Sequence, residues 1–148
     1  MIEVKSINKS FDDKTILHNV DAVFYEGKTN LIIGQSGSGK TVLMKSIVGL
    51  VTPEVGEILY DGRDLLKMDA GQKKDLRKEI GMLFQGSALF DSETVLGNVM
   101  FPLIMFTDMS QSEIRDRALF CIERVNLKGA DKKYPSELSG GMQKRVAI

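Results

Sequence analysis

The fold of this chain is decided by the stretch Gly34-Gln35-Ser36-Gly37-Ser38-Gly39-Lys40-Thr41, which fits the pattern G-x-x-x-x-G-K-[ST] at every fixed position. Glycines let such a backbone curl until several N–H groups point at one phosphate. In this pattern the ammonium group of Lys40 reaches the β- and γ-phosphates of a nucleoside triphosphate, and the hydroxyl of Thr41 binds Mg²⁺. The stretch therefore predicts a phosphate-binding loop, with nucleotide contacts from all eight residues.

The residues on either side of the loop supply the context that this pattern requires. Residues 29–33 form a nearly continuous apolar run, which predicts a strand buried on both faces. Residues 39–48 predict a helix with Leu43, Ile47 and Leu50 on one face. The positive end of that helix would add to anion binding. An ordinary glycine- and serine-rich loop is the alternative, and the strand and helix around it argue against that alternative.

The remaining elements are mostly strands before the loop and mostly helices towards the end of the chain. Further strands are predicted at residues 2–6, 15–25, 57–60 and 80–84, with a hairpin turn at Asp61-Gly62. Further helices are predicted at residues 70–78, at 94–106 with an interruption at Pro102, at 110–125 with a capping box of Ser110 and Glu113, and from Gly140 onward. This order predicts an α/β core with an antiparallel β layer before it and a helical block after it.

Composition and charge exclude several classes of protein. The 148 residues include 20 basic and 20 acidic side chains, and a net charge of zero argues against a nucleic-acid-binding protein. The single cysteine, Cys121, excludes an internal disulfide and fits a reducing compartment. No apolar run approaches the roughly 20 residues that span a bilayer. If the protein works at a membrane, another subunit must hold it there.

A second motif, Leu138-Ser139-Gly140-Gly141-Met142-Gln143, narrows the class of nucleotide-binding protein. A serine followed by two glycines at a helix start caps the helix and leaves bare backbone amides, a second anion site. The motif resembles the LSGGQ signature of ATP-binding-cassette (ABC) ATPases, with Met142 at the fifth position.

Two further residues match positions of that family. Gln85 resembles the glutamine loop of that family. Phe11, 29 residues before Lys40, stands where the family keeps an aromatic ring that stacks on adenine. The resemblance covers essentially the whole chain.

The resemblance implies a P-loop NTPase core of ABC type with an N-terminal antiparallel β layer and a helical subdomain. It implies ATP and Mg²⁺ as ligands, with Lys40 and Gln85 in catalytic roles, and with Thr41 and Gln85 at the metal. It also implies a head-to-tail homodimer, in which Ser139, Gly140 and Gly141 of one subunit close on the nucleotide of the other. From the residues alone, Gln85 is equally explained as a strand end and Phe11 as a core residue.

The same resemblance predicts how the chain is divided. We expect one truncated domain over residues 1–148, with the β layer and phosphate-loop core at about 1–85. The helical subdomain would follow at about 86–140, and the start of the signature helix at 141–148. In the family, an aspartate that helps hold Mg²⁺, a glutamate that polarises water and a switch histidine follow the signature. Only nine residues follow Ser139, so we expect the front part of a longer ATPase, inactive and poorly folded by itself.

The residues after Gln85 point to a particular kind of ABC system. The run Gln85-Gly86-Ser87-Ala88-Leu89-Phe90, followed by an apolar helix, resembles the ATPases of the Mla and Mce lipid-transport systems. In ABC ATPases this region receives the coupling helix of a multi-span permease. An apolar surface at Val99, Met100, Phe101 and Ile104 would suit that contact, unless these residues form the core of the helical subdomain.

These observations favour an energy-coupling ATPase subunit of a lipid transporter, peripheral on the cytoplasmic face of the inner membrane. A transporter subunit for another substrate and a soluble ABC ATPase without a permease are the alternatives.

Overall fold

The strands of this chain all pair in one antiparallel sheet of four. The structure, a computed structural model, describes all residues from Met1 to Ile148 and divides into two compact units, Met1–Ile80 and Gly81–Ile148. In the first unit the sheet has the order β2-β1-β3-β4. Its strands are β1 (Ile2–Phe11), β2 (Lys14–Phe24), β3 (Val55–Tyr60) and β4 (Arg63–Asp64). The predicted β layer is therefore present, with β1 extending beyond the predicted residues 2–6.

The sheet buries one apolar face under the helix that follows the phosphate loop. Helix α1 (Lys40–Ile47) contributes Leu43 and Ile47 to a core that also contains Val4, Ile7 and Ile58. Val4 pairs with Ile58 across β1 and β3. Val4 and Ile7 are three residues apart, and the irregularity between them, where Ser6 has a φ of 51°, lets both enter the same core. The predicted helix is thus confirmed, but Leu50 lies beyond its end and is 53% exposed, so its placement on the buried face was wrong.

Three residues of β3 and its hairpin turn adopt backbone conformations with positive φ. Asp61 and Gly62 have φ angles of 48° and 80° and join β3 to β4, which confirms the predicted hairpin turn. Gly56 has a φ of 109°, and a Cβ atom there would lie 2.5 Å from the carbonyl oxygen of Lys5. The close approach of β1 and β3 therefore requires a glycine at position 56.

Two predicted strands are absent. Residues 29–33 and 80–84 adopt no strand conformation, and Leu31 and Ile33 are 78% and 84% exposed. An apolar run indicates where a strand would be buried, but a strand also needs a hydrogen-bonded neighbour and a covering layer. Every strand of the sheet pairs within the antiparallel layer, and neither segment joins that ladder. Ile32 and Ile80 still pack against the core of the first unit.

Helices dominate the end of the chain. Helix α2 (Ala70–Lys78) completes the first unit; the second contains α3 (Val95–Phe106), α4 (Gln111–Arg124), a 3₁₀ turn (Pro135–Glu137) and α5 (Gly140–Val146). Their positions agree with the predicted helices. Ser110 and Glu113 form the predicted capping box at the start of α4. None of the helices combines the length and the apolar character that crossing a membrane requires.

Helix α3 corrects one expectation about Pro102. The helix continues through Pro102 instead of being interrupted there. Proline removes one backbone hydrogen bond, but the turn after it is closed by Thr107, which donates from its N–H and its hydroxyl to the carbonyl oxygen of Leu103.

Near the start of α3, the buried amide of Asn98 accepts from the N–H of Phe90 at 2.8 Å and donates to its carbonyl oxygen. Asn98 thereby fixes the preceding loop to the helix.

Candidate functional site

The phosphate loop, residues 34–41, connects residues 29–33 to helix α1. Gly39 caps the helix in the left-handed conformation, with a φ of 88° and no side-chain hydrogen bond to the first turn. A Cβ atom at Gly39 would lie 3.0 Å from the Leu17 side chain and 3.1 Å from the carbonyl oxygen of Ile16. Both the backbone angle and the contact with β2 therefore require glycine. The first-turn N–H groups have no side-chain cap, which leaves them able to bind an anion.

Lys40 folds back over the loop. Its Nζ donates to the carbonyl oxygens of Gly34 at 2.7 Å and of Gln35 at 2.6 Å, while the N–H of Ser38 closes the turn onto the carbonyl oxygen of Gln35. The acceptors of Lys40 are neutral, so these contacts leave its positive charge uncompensated. A cation, a helix N-terminus and exposed backbone amides thus converge on one loop, and together they can bind a phosphate chain.

The residues predicted at the metal supply oxygen donors of the right kind. Thr41 lies in the first turn of α1 and is exposed, and Gln85 is exposed in the second unit. Hydroxyl and amide oxygens are ligands that Mg²⁺ accepts, with phosphates and water completing the shell. The chain holds no cluster of three or more acidic, histidine or cysteine side chains that could bind a metal by itself. Thr41 and Gln85 each offer an oxygen atom that such a shell can accept, and their roles at a metal ion stay a prediction.

Gln85 opens a strained turn. Ser87 and Ala88, just after it, have φ angles of 63° and 52°, a conformation that costs such residues about 1–3 kcal/mol each. Strain of this kind persists where the surrounding structure fixes it, and it is common at sites that bind or switch. Because Gln85 is exposed at the start of this turn rather than packed at the end of a strand, its amide is accessible to a ligand.

Phe11 ends β1 beside the turn into β2. It is 46% exposed and belongs to neither core cluster, so the alternative that it is a core residue does not hold. The Nζ of Lys9 lies 5.0 Å from the centre of its ring. An aromatic ring exposed in this way can stack on a planar base.

The second glycine motif caps helix α5. The Oγ of Ser139 accepts a hydrogen bond from the N–H of Met142 at 3.3 Å, as predicted for an N-cap. No atom lies within 4 Å of the position that a Cβ would occupy at Gly140 or Gly141. Packing within the chain therefore does not require these two glycines. They leave bare amides and open space above the first turn.

An apolar cavity of about 390 Å³ lies beside helix α3 in the second unit. Its lining includes Phe90, Met100, Phe101 and Ile104, with Glu93 at its polar side. The rings of Phe90 and Phe101 pack 4.7 Å apart, centre to centre. Phe101 and Ile104 are 43% and 49% exposed, so they are surface residues.

One member of the predicted apolar surface lies elsewhere. Val99 is partly buried against the core of the second unit and lines a separate cavity of about 570 Å³, not the 390 Å³ cavity. The other three predicted residues do line it.

Sequence reasoning missed two charged residues beside Phe11. Lys9 and Glu54 form an ion pair of 2.5 Å next to the ring, and the hydrogen bond from Lys9 lowers the pKa of Glu54. Lys9 could have been found because it lies two residues before Phe11 on a strand, and therefore on the same face. Nothing local signals Glu54, which lies 45 residues further along the chain than Lys9.

Comparison with known proteins agrees with the motifs. The profile of the ABC transporter family matches residues 17–148. MlaF, the ATP-binding protein of the intermembrane phospholipid transport system of Haemophilus influenzae, is 42% identical over 148 residues, covering 100% of this chain and 56% of MlaF. The probable ribonucleotide transport ATP-binding protein mkl of Mycobacterium leprae is 42% identical over 147 residues, covering 99% of this chain and 42% of that protein. The chain thus spans about half the length of these relatives.

Solved structures of ATP-binding cassettes also resemble this chain. The dimeric post-hydrolysis state of the ATP-binding cassette MJ0796, bound to ADP and Pi, superposes with a TM-score of 0.87 at 34% sequence identity. That match covers 99% of this chain and 67% of the MJ0796 chain. The predicted fold class, an ABC-type cassette with an antiparallel layer and a helical part, is therefore confirmed.

Proposed function

The chain belongs to the ABC transporter family, and we propose that it acts in an ATPase subunit that binds and hydrolyses ATP to drive a membrane transporter of lipids. The observation that carries this proposal is the phosphate loop. There Lys40 holds an uncompensated charge over the N-terminus of α1. A phosphate chain would take over the hydrogen bonds that Lys40 now gives to the carbonyl oxygens of Gly34 and Gln35.

The proposed roles of the other site residues follow from their chemistry. Backbone amides of residues 34–41 would bind the β-phosphate, and the exposed ring of Phe11 would stack on adenine. Thr41 and Gln85 would hold Mg²⁺, which when bound neutralises charge on the phosphates. Gln85 would also orient the attacking water. The division into parts at about residues 85 and 140 stays a prediction.

We propose that two copies of the protein act together. The bare amides of Gly140 and Gly141, with open space above them, suit an anion supplied from outside the chain. The related cassette MJ0796 is dimeric with ADP and Pi bound. In a symmetric, head-to-tail dimer the same surface serves both subunits. Ser139–Gly141 of each copy would then close on the nucleotide held by the other.

A permease is the proposed membrane partner, because the cavity beside α3 exposes apolar side chains at the surface. Exposed apolar patches of this kind mark interaction sites. This cavity favours a transporter subunit, held at the cytoplasmic face of the inner membrane, over a soluble ABC ATPase without a permease. The similarity to MlaF and the run from Gln85 to Phe90 support lipids as the substrate. Another substrate remains the alternative, because the similar protein mkl is described as a probable ribonucleotide transport ATP-binding protein.

The test compares two phenylalanines that are exposed to similar extents. Phe101 lines the cavity and Phe120 on α4 does not; they are 43% and 51% exposed. We expect Phe101→Glu in the full-length protein to abolish co-purification with the permease and transport of phospholipid between vesicles. Phe120→Glu should retain both, and both variants should keep their soluble ATPase activity. Full assembly and transport by Phe101→Glu would contradict the docking role of this cavity.

A further inference from the structure

A half-buried lysine connects the ring of Phe11 to a carboxylate. The side chain of Lys9 is only 15% exposed, and its Nζ lies 2.5 Å from Oε1 of Glu54 and 5.0 Å from the centre of the Phe11 ring. Lys9 and Phe11 are alternate residues of β1, so both project from the same face of the strand. One ammonium group thus pairs with a carboxylate and covers one face of the ring.

Glu54 is itself held by the backbone around Phe11. Its Oε2 accepts from the N–H of Ser10 at 3.0 Å, and its own N–H donates to the carbonyl oxygen of Asn8 at 3.0 Å. The carboxylate therefore joins the Lys9 side chain to the strand backbone directly before Phe11. The Glu54 side chain is 48% exposed, but both of its carboxylate oxygens have hydrogen-bond partners, Lys9 and the N–H of Ser10, which restrains it more than a single exposed ion pair would.

The ring itself has few other restraints. Phe11 borders the two-residue turn Asp12-Asp13, is 46% exposed and packs in neither core cluster. An aromatic side chain without packing neighbours samples several rotamers. Holding it in one orientation before a ligand arrives reduces the ordering cost of binding.

From these contacts we infer that Lys9 and Glu54 are positioning residues for Phe11, holding its ring so that the ammonium group covers one face and the opposite face remains for the nucleobase. This inference rests on the proposed nucleotide binding. It assigns the base-stacking surface to three residues, of which only Phe11 touches the nucleotide. The cation on the far side also polarises the ring, whose faces are otherwise electron-rich.

The experiment uses the full-length protein and an ADP whose adenine is replaced by 2-aminopurine, because the emission of that base falls when it stacks on an aromatic ring. Lys9→Met keeps the length of the side chain but removes the charge. We expect it to bind the nucleotide roughly 3- to 10-fold more weakly than the wild type. At saturation its bound nucleotide should emit more strongly, because the stack is looser. Lys9→Arg should restore both affinity and quenching, since a guanidinium can pair with Glu54 and cover the ring.

Lys5→Met is the matched control. Lys5 lies on the same strand and pairs with Glu3 at 3.1 Å, so its loss tests the effect of removing any β1 ion pair. This variant should keep wild-type affinity and quenching. Wild-type affinity and quenching in Lys9→Met would overturn the positioning role, as would equal losses in the Lys5 and Lys9 variants. If the wild-type protein itself does not bind the nucleotide, the proposed function is refuted. That outcome differs from failure of the positioning role, in which the wild type binds and Lys9→Met binds equally well.

Discussion

At the scale of single residues, the two glycine motifs differ in what their glycines are for. Gly39 is required within the chain, because its φ is positive and a Cβ atom there would be crowded by Ile16 and Leu17 of β2, at 3.0–3.1 Å. Gly140 and Gly141 have no such neighbours. Their open surroundings leave the start of α5 accessible to something outside the chain, which fits the proposed contact with the nucleotide of a second subunit.

Ser139→Arg in the full-length protein tests that contact. The arginine side chain would cover the amides at the start of α5 and fill the open space above them. We expect normal ATP binding, because the phosphate loop is untouched, together with loss of ATP turnover and of ATP-driven dimerisation. Turnover is measured by phosphate release, and dimerisation by light scattering with ATP. Wild-type turnover would mean that Ser139 is only a helix cap.

At the scale of secondary-structure elements, locally encoded features could be predicted and those with distant partners could not. The capping box of Ser110 and Glu113 and the Asp61-Gly62 turn are local, and both have the predicted geometry. The strand expected at residues 29–33 needed a neighbour that an apolar run cannot specify. Glu54 could not be predicted for the same reason, because its contact with Lys9 depends on the pairing of β1 with β3. The phosphate loop, by contrast, is contiguous and could be identified from its residues.

The attachment of α1 to the sheet can be tested through Tyr60. Its hydroxyl donates to the carbonyl oxygen of Ile47, at the end of α1, over 2.7 Å. Tyr60→Phe should lower the free energy of unfolding by about 1 kcal/mol near neutral pH, because that acceptor loses its partner. Denaturant titration of the full-length protein measures this difference. An unchanged midpoint and slope would show that the hydrogen bond contributes nothing to stability.

The same side chain predicts a dependence on pH. Burial raises the pKa of Tyr60 from 10.0 to about 12. The folded state therefore keeps a proton that the unfolded state releases above pH 10, and stability falls as the pH rises through 12. Tyr60→Phe should remove this part of the alkaline loss while leaving the part due to Lys67, whose pKa is raised by its hydrogen bond to Asp64. If the free energy of unfolding of the wild type and of Tyr60→Phe falls equally between pH 10 and 12, the proposed contribution of Tyr60 is contradicted.

At the scale of the whole molecule, the 148-residue chain leaves large apolar side chains in solvent. Leu31 and Ile33 are 78% and 84% exposed, in a segment that no strand pairs with. Apolar, unpaired segments promote self-association. We expect this chain alone to form oligomers or aggregates. Leu31→Ser with Ile33→Ser should reduce the association, which size-exclusion chromatography measures. A monomer with a cooperative thermal transition would contradict this expectation.

The most direct test of the account is a titration of full-length Lys40→Ala with labelled ATP. Lys45→Ala is the control, because it removes a lysine from the opposite end of the same helix. Loss of a charge-assisted contact worth about 1.5–3 kcal/mol should weaken ATP binding by roughly 10- to 100-fold in Lys40→Ala. The control should bind as the wild type does. Equal ATP affinity in the wild type and Lys40→Ala would contradict the claim that this loop binds the phosphates of ATP.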